Sequence, residues 1–160
     1  MARTDLLKLF ACIAITEILG GGLGSVFTLA SLHTWYASLA KPSFAPPGYV
    51  IGAVWTALFL LMGSALYLIW VSKRTVGDKR MAITLYGVQL LFNVLWPFLF
   101  FYIRSPLYGF IEIILLWIAI AATIASFRGI SRGAVALMFP YLLWVSFAAY
   151  LNLSVLLLNP

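Results

Sequence analysis

Five apolar runs, each longer than 20 residues, divide this chain of 160 residues. They cover about residues 6–29, 49–71, 81–103, 107–127 and 133–158. About 20 apolar residues in a helix cross the hydrocarbon core of a bilayer, so every run is long enough to span with some tilt. Composition agrees: 64% of the residues are hydrophobic, 9% are charged, and mean hydropathy is +1.08. A soluble domain is about half apolar and about a quarter charged. A soluble enzyme, a secreted disulfide scaffold and a disordered tail protein are therefore excluded. A membrane β-barrel is excluded too, because its strands alternate apolar and polar residues and dilute the apolar fraction. The expected fold is an all-α membrane protein, one domain over residues 1–160 built as a bundle of five transmembrane helices.

Three of the connections are short, at 72–80, 104–106 and 128–132, and short connections make neighbouring helices antiparallel. The first loop, 30–48, is longer. The first run has a short polar flank, Arg3 and Lys8, and lacks a small-residue cleavage pattern, so it is expected as a retained helix rather than a signal peptide. Lys and Arg residues divide unevenly between the two ends of such a bundle. Arg3, Lys8, Lys73, Arg74, Lys79, Arg80, Arg128 and Arg132 fall on one side, eight in all, against Lys41 and Arg104 on the other. The positive-inside rule then puts the N-terminus inside and the C-terminus outside, in what is expected to be a prokaryotic cytoplasmic membrane. The net charge of +6 reports topology rather than a nucleic-acid partner.

Chemistry-bearing motifs are few. Cys12 is the single cysteine and His33 the single histidine, so neither a disulfide nor a metal cluster is expected. Dinucleotide, P-loop and zinc-protease patterns are absent. Glu17 and Glu112 lie inside spans, where acids are expensive. Each is more often protonated or hydrogen-bonded to a neighbouring helix than part of a proton relay. No nucleophile–base–orienter set can be assembled around them.

Polar and aromatic residues concentrate elsewhere. The first loop holds Trp35, Tyr36, Lys41, Pro42, Phe44, Pro46, Pro47 and Tyr49. Such aromatics could form an interfacial belt, but a belt needs no special backbone, and three stiffening prolines favour a lid over a cavity. In the third run, Gln89, Asn93, Trp96 and Phe100 share one helical face, which must turn inward because amides in hydrocarbon need partners. The fifth run repeats the pattern with Tyr141, Trp144, Phe147 or Ala148, and Leu151 or Asn152. Aromatic stripes usually serve interhelical packing. Here, however, Trp55, Asn93, Trp96, Trp144 and Asn152 all lie in the half of the bundle under the first loop, the profile of an apolar pocket with a few orienting polar groups. Gly20, Gly21, Gly22 and Gly24 belong to the same half, as pocket wall or as helix contact; Gly20 and Gly24 match the GxxxG spacing.

These residues resemble a known family. The run Trp35-Tyr36-x-x-Leu39-x-Lys41-Pro42-x-Phe44-x-Pro46-Pro47, then Val54-Trp55-Thr56 and Leu61-Met62-Gly63, looks like the signature of the tryptophan-rich sensory proteins. Its animal members are the mitochondrial translocator proteins, or peripheral benzodiazepine receptors. Gln89-Leu90-x-x-Asn93-x-x-Trp96-Pro97 with Phe100-Phe101, and Pro140-Tyr141-Leu142-x-Trp144-x-x-Phe147-Ala148 with Leu151-Asn152, continue it, so the match runs from about Gly20 to Asn152. The resemblance implies a five-helix protein, often a homodimer, with a pocket closed by the first loop. Implied ligands are porphyrins such as protoporphyrin IX or haem, sterols, and synthetic benzodiazepines or isoquinolines, with no obligatory cofactor. Ligand-binding roles are implied for Trp55, Asn93, Trp96, Trp144, Phe147, Ala148 and Leu151, with Phe100 and Tyr141 on the same faces and Trp35 and Tyr36 in the lid. Some bacterial members are similar to light-dependent porphyrin-degrading proteins, in which the residues matching Trp55 and Trp144 would be catalytic. Two departures stand out. Tyr150 is followed by no Lys or Arg, against the animal sterol motif, and Gly48-Tyr49 replaces an additional Trp of many members.

Overall fold

The computed structural model describes residues 3–160. Five long helices dominate it: α1 Arg3–Leu29, α2 Gly48–Trp70, α3 Val76–Tyr102, α4 Pro106–Arg128 and α5 Arg132–Leu158. No strand occurs among the described residues. All five helices are long and apolar enough to cross a membrane, as expected from the apolar runs. Their starts follow local chemistry. Ser105 and Ser131 accept hydrogen bonds from the amides of Tyr108 and Ala134, capping α4 and α5. Pro106 opens α4 at the position where a missing N–H is harmless. The start of α3 is five residues earlier than hydropathy places it. Thr75 Oγ1 accepts from the Asp78 amide at 3.3 Å and donates to Asp78 Oδ2 at 2.8 Å, so the helix begins in a charged turn that carries no apolar signal.

Two helices widen locally to a π pitch. In α1 this covers Glu17–Leu23, around the glycines. In α3 it covers Phe98–Tyr102, directly after Pro97. Proline has no N–H and crowds the preceding turn, and the ladder resumes with wider closure, the Ile103 amide reaching Phe98 O at 2.9 Å. The wide turn brings consecutive rings, Phe100 and Phe101, to the interior together.

The helices close a ring in the order α1, α2, α5, α4, α3. Helix α4 packs on both α3 and α5, α1 on α2, α2 on α5, and the second half of α1 on α3. Although a short link joins α2 to α3, these two touch only sparsely. Antiparallel succession along the chain therefore does not make every successive pair neighbours in the ring. The tightly packed core occupies the end that carries the basic connections. In α2, every buried residue lies between Leu58 and Ile69, and the first ten residues bury none. Met62, Ile69, Phe127 and Met138 fill this basic half. Close approach of α1 and α2 depends on Gly63, where an added Cβ would stand 2.6 Å from Ile13 Cα. Because the obstacle is backbone, Gly63→Ala should force the two helices apart. A loss of about 1–3 kcal/mol is expected, checked as a lowered midpoint of thermal unfolding in detergent.

Candidate functional site

Where the packed core ends, the ring opens into a cavity of about 670 Å³ beneath the first loop. It exists because the loop-end half of α2 stands off from the bundle, while the glycines of α1 present no side chains. Of the residues singled out from sequence, Tyr36, Trp55, Asn93, Trp96, Phe100, Trp144, Phe147, Ala148 and Leu151 line it, as do Gly20, Gly21 and Gly24. The remaining three do not. Gly22 faces away from the cavity and is exposed. Trp35 sits behind Phe100, edge-on at 5.7 Å between ring centroids. Tyr141 is fully buried, and its hydroxyl accepts from Asn93 Nδ2 at 2.9 Å. Its role is to hold the Asn93 amide, not to form the wall.

The walls are aromatic and mutually braced. Trp96 stacks on Phe100 at 5.0 Å with 19° between ring planes, and Trp55 on Phe59 at 5.5 Å with 26°. Trp55 also meets the buried Tyr141 edge-on at 6.1 Å. Phe59 was not among the expected site residues; a Cβ on Gly20 would collide with its ring, so that glycine is both pocket wall and helix contact. Asn152, expected in this half of the bundle, also lines the wall. It accepts from Trp96 Nε1 at 3.1 Å and donates to Pro106 O at 2.8 Å, which ties α5 to α3 and to the start of α4. The Trp144 indole N–H has no partner.

The first loop closes this end. After one helical turn, Trp35–Ser38, the prolines keep it irregular. Ser31 Oγ donates to Phe101 O at 2.7 Å. Tyr36 packs edge-on against Phe101 at 5.2 Å, and Phe44 stacks on Tyr150 at 5.2 Å. The Ala40 amide and carbonyl pair with the Asn159 side chain, both at 3.0 Å. Lys41 Nζ sits over the Tyr36 ring, 4.7 Å from its centroid, and burial pushes the Tyr36 phenol above its ordinary pKa. Tyr36, Lys41, Pro46, Pro47 and Gly48 all line the cavity. The loop is a lid packed on the bundle rather than a belt facing lipid.

The two intramembrane acids are not brought together. Glu17 lines the cavity from α1. Glu112 is buried in α4, with neither oxygen partnered, and α1 and α4 are not neighbours in the ring. Gln89 is buried and equally without partners. Among the described residues no group of three or more His, Cys, Asp or Glu could hold a metal ion.

Comparison with known proteins identifies the family. Residues 12–158 match the TspO/MBR family. The chain belongs to that family. It is 40% identical over 156 residues to the tryptophan-rich protein TspO of Chlorobaculum tepidum, covering 98% of each chain. It is 41% identical to the protein of the same name from Archaeoglobus fulgidus, covering 97% of this chain and 99% of the relative. Similarity extends to the human translocator protein, 37% identical over 138 residues, covering 86% of this chain and 82% of that one. The protein is thus a multi-pass integral membrane protein of the TspO/MBR family. Within this TspO/MBR bundle Asn152 joins three helices at the cavity wall through two side-chain hydrogen bonds. Asn152→Leu leaves Trp96 Nε1–H without a partner and removes the tie to Pro106 O, and should lower stability by about 1–3 kcal/mol. The check is thermal unfolding in detergent, with Trp96→Phe in the same background showing whether the loss runs through that pair.

Proposed function

We propose that this protein binds a planar tetrapyrrole, protoporphyrin IX or haem, in the cavity under the first loop, in a sensory, regulatory or transport-associated role. The observation that carries the reading is the set of three indoles, Trp55, Trp96 and Trp144, around one apolar cavity of about 670 Å³. That volume lies within the range of roughly 300–1,000 Å³ typical of small-molecule sites. Flat rings stack favourably on indole faces. The Asn93 amide on the cavity wall offers a hydrogen bond to a ring substituent. On the same reading the N-terminus lies in the cytoplasm, so the lid faces the opposite side of the membrane.

A second reading, light-dependent breakdown of the bound porphyrin, is favoured by Trp55 and Trp144 both standing on the wall. An indole in contact with a photoexcited macrocycle can donate an electron to it, with dioxygen as the oxidant. Under illumination in air, this reading requires a product whose yield falls in Trp55→Phe and Trp144→Phe. Bleaching no faster than that of free porphyrin removes it.

Binding is tested by titrating the detergent-solubilised protein with protoporphyrin IX and following quenching of tryptophan fluorescence. Trp55→Ala and Trp144→Ala should each weaken affinity roughly threefold to tenfold. Unchanged affinity in both variants would overturn the site.

A further inference from the structure

The basic end of the bundle carries a second recess, a groove of about 410 Å³ between α2 and α3. It is open because these two helices touch only sparsely. Trp70 forms one wall, and Val76, Lys79, Arg80, Ile83 and Thr84 form the other. Two kinds of surface meet here. Trp70, Val76 and Ile83 are large apolar side chains left 47%, 80% and 41% exposed, at the end of spanning helices where indoles anchor at the headgroup level. Beside them stand Lys79 and Arg80, with Lys73 and Arg74 exposed in the link.

The charges are not balanced locally. Asp78 is the acid of this segment, and its Oδ2 is engaged by Thr75 Oγ1 at 2.8 Å. Lys79 Nζ donates to Ser72 O at 3.2 Å and Trp70 O at 3.4 Å, which compensates the carbonyl end of α2. Arg80 and the link cations remain available to a ligand, and the N-terminal dipole of α3 adds to their field. We propose that this groove binds the headgroup of an anionic phospholipid, its phosphate on Arg80 and Lys73 and its acyl chains along Ile83 and Trp70. A basic recess between spanning helices is suited to such headgroups. The apolar rim argues for a lipid over a free phosphate, which would gain nothing from it. This site is separate from the tetrapyrrole cavity and does not depend on that reading.

The full-length protein in phosphatidylcholine nanodiscs containing a minor share of phosphatidylglycerol, released and weighed by native mass spectrometry, should retain phosphatidylglycerol roughly fivefold above its bulk proportion. The Lys73→Gln/Arg80→Gln double variant should return retention to bulk proportion. Ile83→Asp, which puts a carboxylate on the groove wall, should do the same independently. Arg128→Gln, in the other basic connection, should leave retention unchanged, and helicity and elution volume should match the unsubstituted protein throughout. Equal retention of the two lipids overturns the proposal. So does an equal loss in Arg128→Gln, which would mean a diffuse surface field. Displacement by glycerol phosphate at the concentration of the lipid would assign the groove to a free phosphate instead.

Discussion

A backbone in hydrocarbon has to satisfy its own hydrogen bonds, because no water is there to do it. That requirement makes five helices of the five apolar runs, and it also limits where the helices can be irregular. The two π segments, Glu17–Leu23 in α1 and Phe98–Tyr102 in α3, lie on helices that pack together, and both contribute residues to the cavity wall. A π turn still bonds its backbone groups within the helix, so it is tolerated even in α1, where Ile18 and Leu23 stay exposed. In α3 the result is functional geometry: a ladder interrupted at Pro97 turns Phe100 and Phe101 inward together. In α1, glycines let the wall recede while Phe59 of α2 fills the space beside Gly20.

The two ends of the ring are held by different forces. In the basic half, side chains such as Met62, Phe127 and Met138 fill the interior, so dispersion and close packing dominate. In the loop half filling is confined to the cluster of Phe100, Phe101 and Val155, and specific pairs hold the cavity wall apart. Asn93 with Tyr141, and Asn152 with Trp96 and Pro106, link α3, α4 and α5 across the wall. In a low-dielectric setting such bonds are expensive to leave unmade. An apolar cavity can therefore persist beside a well-packed core without collapsing into it.

Much of this was legible in the chain. Run length supplied the helices, and spacing supplied the inward faces of α3 and α5. Proline density in 42–47 pointed to a lid. What periodicity could not supply was reach and neighbourhood. Tyr141 shares a helical face with Trp144, yet its long side chain ends in the core on Asn93, so a face alone did not distinguish lining from support. Gly22 differs from Gly21 only by one step of rotation, which the widened pitch of α1 shifts unpredictably. Phe59 was overlooked because an aromatic in an apolar run carries no polar signal. Its importance comes from Gly20 on another helix. The ring order was likewise invisible, since a short link between α2 and α3 suggests close packing where the two touch only sparsely.

The lid illustrates how such a bundle can combine a rigid frame with an accessible interior. Its chain connects α1 to α2, but its attachments are made to α3 and α5, through Phe101, Tyr150 and Asn159. Each attachment is individually modest. A neutral hydrogen bond contributes about 0.5–1.5 kcal/mol net and an aromatic pair about the same, with the exposed Ala40–Asn159 pair at the weak end. Releasing the segment around Phe44 and Ala40 thus requires breaking two aromatic contacts, Phe44 on Tyr150 and on Phe147, and two exposed hydrogen bonds, a few kcal/mol in total on those values. The core helices, whose interfaces run along most of their length, require far more. The lid is consequently held less strongly than the core helices, and a ligand contacting Tyr36 or Lys41 from within would strengthen closure by its differential affinity for the closed state.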